Sequence, residues 1–404
     1  MAPGKLIVVK YGGSVLEDGL AFRKAAEAIK EEYEKGVRVV VVVSALKGVT
    51  DQLLGAAEVI SPETPREVID HIIGLGEEQS VRLMTSALRS VGVDSVEVTP
   101  HSPSWPIVTD ETYGDAEPIL EECRSGAELG LKPLMERGQV PVVCGFVGRS
   151  LRGKFTTLGR GGSDTTAVIL ARCLDADELV LVKDVGGIYS SDPKMVEGAK
   201  HIKALTAMEA HLFSSDGAEV LHSKVFRYKP ADLNVRIVSI DQSLEGSGTV
   251  ISGTVPDLWV EAHERPVTRL NIICGSPSVS AVLIQVSKKV GEAGGEILSL
   301  KGAGRSLTAW VDGPPGIIAA VHSLVEETDY IKAVSGTSGE ALITLVGTIL
   351  DIPGKMIPKI LDLLASRGIL ARDINTGPST VGILIDWERR LEALDSLENR
   401  EWSN

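Results

Sequence analysis

Aromatic residues are scarce in this chain, 4% of 404 residues, although hydrophobic residues as a class reach 43%, ordinary for a globular protein. Positive charge is also in deficit: 41 Lys+Arg face 55 Asp+Glu, a formal net charge of -14. That balance aids solubility and argues against nucleic acid or acidic lipid as partners, but a local basic pocket for an anionic substrate remains compatible with it. Cysteine is limited to Cys123, Cys144, Cys173 and Cys274, without metal-ligand spacing, and the histidines are scattered. Cys144 and Cys173 lie in apolar runs and read as small core residues. The apolar run "GVRVVVVVSAL" is far shorter than the roughly 20 residues that cross a bilayer, and "MAPGKLIVVK" does not read as a signal peptide. Neither GxxxxGK[ST] nor a GxGxxG after the first strand is present, which weakens P-loop and dinucleotide-fold readings. These absences predict a cytoplasmic protein with reduced thiols and no metal cage.

What is present is alternation. "KLIVVKYG", "VRVVVVVSA", "QVPVVCGFVG", "ADELVLVKDVGG" and "NVRIVSI" are short β-branched runs separated by helical patterns such as "GLAFRKAAEAIKEEYEKG" and "TTAVILARCLDA". Strands apolar on both faces and joined by helices predict an α/β unit, an αβα sandwich with a mainly parallel sheet, over 1–250. The polar, glycine-rich stretch around 251–261 reads as a linker. Beyond it the order strand, helix, strand, strand, helix occurs twice, predicting two small α+β modules at 262–335 and 336–404.

Chemistry concentrates at strand ends. "VVKYGGSVL" places Lys10, Gly12, Gly13 and Ser14 where backbone N–H groups can converge on phosphate oxygens. The plain alternative is a surface lysine beside a turn. "VVVVVSALKGVTDQL" repeats the pattern with Ser44, Gly48 and Thr50, and ligands of open α/β sheets bind outside such strand ends. Asp51 reads as a first-turn acid of the next helix. "FTTLGRGGSDTTAV" sets Arg160 among Gly159, Gly161 and Gly162, then Ser163, Asp164, Thr165 and Thr166 before an apolar helix. Any of those four could merely cap the helix. Capping does not require the planar donor fork of Arg160, which suits a carboxylate or phosphate. "LVLVKDVGGIYSSDPKM" brings Lys183, Asp184 and Tyr189 to a fourth strand end.

With these stretches in hand, the chain resembles the aspartate kinases of the amino-acid kinase family. "KYGGS", "VVVSALKGVTDQL", "TDETYGDAE", "GFVGR", "TTLGRGGSD", "KDVGGIYSSDPK" and "GAEVLHS" occur in family order across the first domain. The resemblance implies ATP-dependent phosphorylation of the side-chain carboxylate of L-aspartate, with Mg2+, toward lysine, threonine and methionine. It implies that Lys10, Gly12, Gly13 and Ser14 face the transferring phosphoryl group and that Lys10 and Asp164 are catalytic. It places Ser44, Thr50, Glu77, Arg160 and Ser163 on the amino-acid side, Glu77 meeting the substrate ammonium. Lys183, Asp184, Tyr189 and Lys194 match the nucleotide-side loop. Without the resemblance, Glu77 and Glu78 read as acids favouring a helix N-terminus.

The C-terminal modules resemble ACT domains, which implies a homodimer and an effector such as lysine or threonine. The turn "LDIPGK" (Asp351, Pro353, Gly354) occurs only in the second module and is its expected effector-binding entry. One departure stands out: Glu219 in "GAEVLHS" occupies a position where the family often has lysine, so it either points away from nucleotide or is compensated by a cation such as Lys224. Two other readings stay open here. One is another family activity, on glutamate, acetylglutamate or a nucleoside monophosphate. The other is a catalytically silent amino-acid-binding regulator. Assays across those acceptors distinguish them.

Overall fold

A computed structural model describes residues 4–193, 195–215, 221–275, 279–351 and 353–399. They form two units that divide between Val255 and Pro256.

The first unit is built on an eight-stranded sheet. Its strands are β1 (Leu6–Tyr11), β2 (Arg38–Val43), β3 (Ser95–Val98), β4 (Val140–Cys144), β5 (Glu178–Lys183), β6 (Ala204–Thr206), β7 (Asn234–Ser239) and β8 (Thr249–Ser252), in the order β6-β8-β7-β5-β1-β2-β4-β3. Every pairing is parallel except β7 with β8. The run of valines in β2 is buried on both faces, Val39 to Val43 being at most 1% exposed, as the unbroken apolar pattern requires.

Adjacent residues at the end of β1 show the layers. The Tyr11 hydroxyl donates to Ala25 O (3.3 Å) in α1 (Gly19–Glu34). Lys10 points the opposite way, to Asp164 at the start of α4 (Gly162–Cys173). Helices therefore cover both faces, as an αβα sandwich. From β1 the chain proceeds to β2 on one side and pairs with β5 on the other, a topological switch that opens a crevice at the carboxyl ends of the strands. Above that crevice lie α2 (Val49–Ile60) and the 25-residue α3 (Arg66–Ser90).

The second unit corrects the expected boundaries. Its strands are β9 (Trp259–Ala262), β10 (Val267–Cys274), β11 (Glu296–Ala303), β12 (Ser306–Asp312), β13 (Ile331–Val346), β14 (Asp373–Gly377) and β15 (Thr380–Asp386). The 16-residue β13 serves both modules: its first half pairs with β10, its second half with β15 and β9. The segment 251–261 is therefore not a free linker. It holds the end of β8 and most of β9, and β9 completes the module lying later in sequence. The expected break at 335/336 falls inside β13. The two larger cores of the unit lie one around Leu270, Val286 and Val321, the other around Ile343, Ile360 and Ile383. The helices α5 (Val279–Glu292) and α6 (Ile317–His322) belong to the first module, α7 (Pro353–Ser366) and α8 (Arg390–Glu398) to the second. This is the architecture expected of paired ACT-like modules.

Candidate active site

The crevice is an open cleft of about 790 Å³, lined among others by Lys10, Gly13, Ser14, Ser44, Thr50, Glu77, Arg160, Ser163 and Asp164. Nine expected site residues from four separate stretches thus meet at one place.

Its floor is ionic. Lys10, 5% exposed at the end of β1, lies 2.6 Å from Asp164 Oδ1. Lys183, from the end of the neighbouring strand β5, donates to Asp164 Oδ2 at 3.1 Å. Burial disfavours the Asp164 carboxylate, but the Lys10 and Lys183 charges outweigh it and hold the group well below the usual carboxylate range. Burial lowers the Lys10 pKa, with Asp164 opposing. Two lysine side chains share one carboxylate, so basic groups outnumber acidic ones at this point of a chain of net charge -14.

The turns around this floor are shaped by close approach. A Cβ at Gly13 would stand 2.7 Å from Ala45 O, so only glycine lets the first loop lie against the second. Gly161 (φ 68°) is the N-cap of α4, where a Cβ would meet the His222 side chain at 2.2 Å. No side chain caps α4, so Ser163, Asp164, Thr165 and Thr166 are not there for capping. Thr165 and Thr166 hydroxyls instead donate back to Gly161 O and Gly162 O.

On the opposite wall stands Glu77, 3% exposed in the middle of α3, which excludes the helix-N-terminus reading. Burial pushes its pKa up to about 8, opposed by the Ala45 backbone N–H and the Lys10 charge. Its Oε2 has no hydrogen-bond partner. A buried carboxyl with an unsatisfied oxygen suits an incoming cationic group. Glu78 differs: it pairs with Arg82 (3.1 Å) and His101 (3.3 Å), away from the cleft lining. Arg160 is exposed at the rim.

The nucleotide-side residues divide. Asp184 lines a separate hollow of about 360 Å³ that it shares with Ser14. Tyr189 packs edge-on against His201, ring centroids 5.3 Å apart. Gly12 N donates to Val182 O (3.4 Å), tying the first loop to β5. Lys194 and Glu219 lie outside the described residues. Lys224, the suggested compensating cation, directs its ammonium to Asp115 (2.9 Å), Leu158 O (3.0 Å) and Ala116 O (3.3 Å). In the second unit, Asp351 ends the turn before α7 and accepts from the Ser379 hydroxyl, while Pro353 and Gly354 form the first turn of α7.

Sequence reasoning missed Asp70 and Arg66, both in the cleft lining. Their only sequence signal was spacing: Asp70 precedes Glu77 by two helical turns and shares its face.

Residues 5–239 match the amino acid kinase family. The chain belongs to that family. Within it, the chain is 35% identical over 296 residues to the aspartokinase of Mycolicibacterium smegmatis, covering 71% of this chain and 68% of the relative. It is 28% identical to the aspartokinase of Geobacillus stearothermophilus over 97% of this chain and 96% of that one. Among solved structures it resembles aspartate kinase from Synechocystis, with a TM-score of 0.74 and 25% identity over 98% of this chain and 68% of that chain. Among the described residues, no group of three or more His, Cys, Asp or Glu is placed to hold a metal ion, and no helix is long and apolar enough to cross a membrane.

Proposed function

We propose that this amino acid kinase transfers the γ-phosphoryl group of MgATP to the side-chain carboxylate of L-aspartate, giving 4-phospho-L-aspartate and ADP. The observation that carries the reading is the ionic floor, Lys10 and Asp164 in the cleft lining with Lys183 paired to the same Asp164, facing Glu77 across a single cleft. An anion is drawn to the floor and an ammonium to the wall. An amino acid bearing a second carboxylate satisfies both, with Arg160 as the clamp for the carboxylate that does not react.

The chemistry then needs no general base, because a carboxylate of pKa about 4 is already ionised at neutral pH. A side-chain oxygen of aspartate attacks the γ-phosphorus, the bond to the β,γ-bridging oxygen breaks, and its electrons leave with ADP. The chain's part is positioning and charge neutralisation. Lys10, held charged and in place by Asp164, stabilises the phosphoryl oxygens, and the Gly12–Gly13 and Gly161–Gly162 turns supply backbone N–H groups. Ser44, Thr50 and Ser163 complete the amino-acid side. Ser14, Lys183, Asp184, Tyr189 and Lys194 form the nucleotide side.

We also infer that the ACT-like unit pairs with a second copy and takes an amino-acid effector, lysine or threonine, near Asp351, Pro353 and Gly354. Sedimentation of the full chain, and calorimetry with each amino acid, test these two inferences. The activity itself is tested by trapping acyl phosphate as hydroxamate with L-aspartate, L-glutamate and N-acetylglutamate in parallel. A signal that depends on L-aspartate is expected; one confined to another acceptor overturns the reading.

A further inference from the structure

Asp70 has no part in the chemistry above, yet it is 1% exposed and lies in the lining of the cleft. Its Oδ2 accepts from the backbone N–H groups of Gly114 (2.9 Å) and Thr157 (2.9 Å), and its Oδ1 accepts from the Thr157 hydroxyl (3.0 Å). These donors come from two different segments, the 109–117 loop and the strand Phe155–Thr157 that leads into the turn at 158–162, and no other side chain among the described residues is bonded to both N–H groups. The segments are also bonded to each other, Ala116 N donating to Thr157 O at 2.8 Å. Gly159 then passes so close to Asp115 that a Cβ there would lie 2.4 Å from its carboxylate. One residue later comes Arg160.

The same face of α3 grips the strand Phe155–Thr157 a second time. A Cβ at Gly74 would lie 2.5 Å from the Phe155 ring, and His71 stacks on that ring at 4.7 Å. Asp70, Gly74 and Glu77 follow the i, i+4, i+7 spacing of one helical face. The stretch of α3 that presents Glu77 therefore also anchors the strand that leads to Arg160.

We propose that Asp70 is a positioning residue that sets the distance and angle between Arg160 and Glu77, and so selects an amino acid of the right length between its ammonium and its clamped carboxylate. The proposal rests on the aspartate reading given above. It has a physical reason: a buried carboxylate accepting three hydrogen bonds is a stiff joint, and it is stiff because burial leaves the donors no water to turn to. Asparagine keeps the shape but offers one acceptor oxygen, and turns an amide N–H toward a donor.

The experiment compares wild type, Asp70→Asn, Arg160→Ala and the double variant in the full chain, with KM for L-aspartate and for ATP measured separately. Asp70→Asn is expected to raise the aspartate KM about tenfold or more, with the ATP KM within about twofold. In the Arg160→Ala background it should add little, because the group it positions is gone. Leu88→Ala, buried lower in the same helix, serves as a control that destabilises without moving the aspartate KM. Amide hydrogen exchange, read without substrate, should quicken over 109–117 and 155–162 in Asp70→Asn. Loss of wild-type turnover on aspartate would overturn the functional reading and leave the exchange result to judge the joint. An Asp70→Asn effect that is fully additive with Arg160→Ala, a rise in KM matched by Leu88→Ala, or unchanged exchange in both segments would each overturn the positioning role.

Discussion

Each unit of the molecule holds an aspartate whose carboxylate is kept below its usual range by a lysine, yet the two do different work. In the first, Asp164 lies between Lys10 and Lys183 at the ends of adjacent parallel strands. In the second, Asp373 on β14 accepts from Lys301 of β11 and from the Trp310 indole of β12 (2.9 Å). β11 and β14 are opposite ends of the strand order, so this network joins the two edges of the sheet over a small core of Val267, Trp310, Leu342 and Leu384. The ionic cluster itself is common to both. What separates a site from a strut is the balance of groups and the space they face: two lysines on one carboxylate beside an open cleft in the first unit, a locally matched bond between strands in the second.

The comparison can be broken most decisively at Lys10. Removing it from the cleft floor with Lys10→Ala should lower kcat by two or more orders of magnitude, because a fixed cation at developing phosphoryl charge is lost. Circular dichroism should be unchanged. Turnover near wild type in the folded variant would show that the second lysine is not what makes the cluster a site.

Arg160→Lys probes the rim with a smaller step. Charge is kept and the planar fork lost, so the aspartate KM should rise roughly tenfold while the ATP KM moves little. Equal weakening of both substrates would place Arg160 on the phosphate side.

Much of this was legible in the sequence. Glycine pairs directly after buried runs announced the strand-end loops, since Gly13 and Gly161 stand where a Cβ would collide. Asp70 was not legible, because an acid in an otherwise amphipathic helix reads as solvent-facing until its partners are known, and those lie at Gly114 and Thr157. The strand Trp259–Ala262 hid for a related reason: four residues carry too little pattern, and its partner is the second half of β13, some eighty positions on. Glu77 needed the resemblance, since residue type alone does not distinguish the middle of a helix from its start. Interactions between distant stretches are what a one-dimensional pattern withholds.

Glu77 gives a prediction in pH. Burial raises its folded pKa from 4.5 to about 8, so the free protein keeps it protonated at neutral pH, whereas the substrate ammonium requires the anion. Aspartate binding must then release a proton below about pH 8, and the aspartate KM should fall as pH rises from 6.5 to 8 and flatten above. The stability sign follows from the same shift. A pKa raised on folding contributes stability that is complete below 4.5 and is lost as pH rises through about 8. Glu77→Gln should therefore melt closer to wild type at pH 6.5 than at pH 8.5, where the variant gains. A pH-independent aspartate KM in the wild type would remove Glu77 from the ammonium site.

The smallest effect belongs to the strut. Asp373→Asn should leave kcat and both KM values within about twofold of wild type, since nothing about its bonds involves the cleft. Its stability should fall, because the Lys301 ammonium and the Trp310 indole N–H both lose a charged acceptor, a loss of about 1–3 kcal/mol. For a unit of this size that is a fall in melting temperature of a few degrees, read by scanning calorimetry of wild type and variant side by side. The pH dependence supplies the check on cause. Burial raises the Asp373 pKa, but the Lys301 and Trp310 bonds overcome it and leave the pKa lowered. That contribution is present above the ordinary aspartate pKa and is lost as pH falls through the lowered folded value. Wild type and Asp373→Asn should accordingly differ at pH 7 and converge in strong acid, the opposite direction to Glu77. If Asp373→Asn instead lowers kcat as Lys10→Ala does, the two clusters are not a site and a strut, and the matched charge at the sheet edges takes part in the enzyme's function.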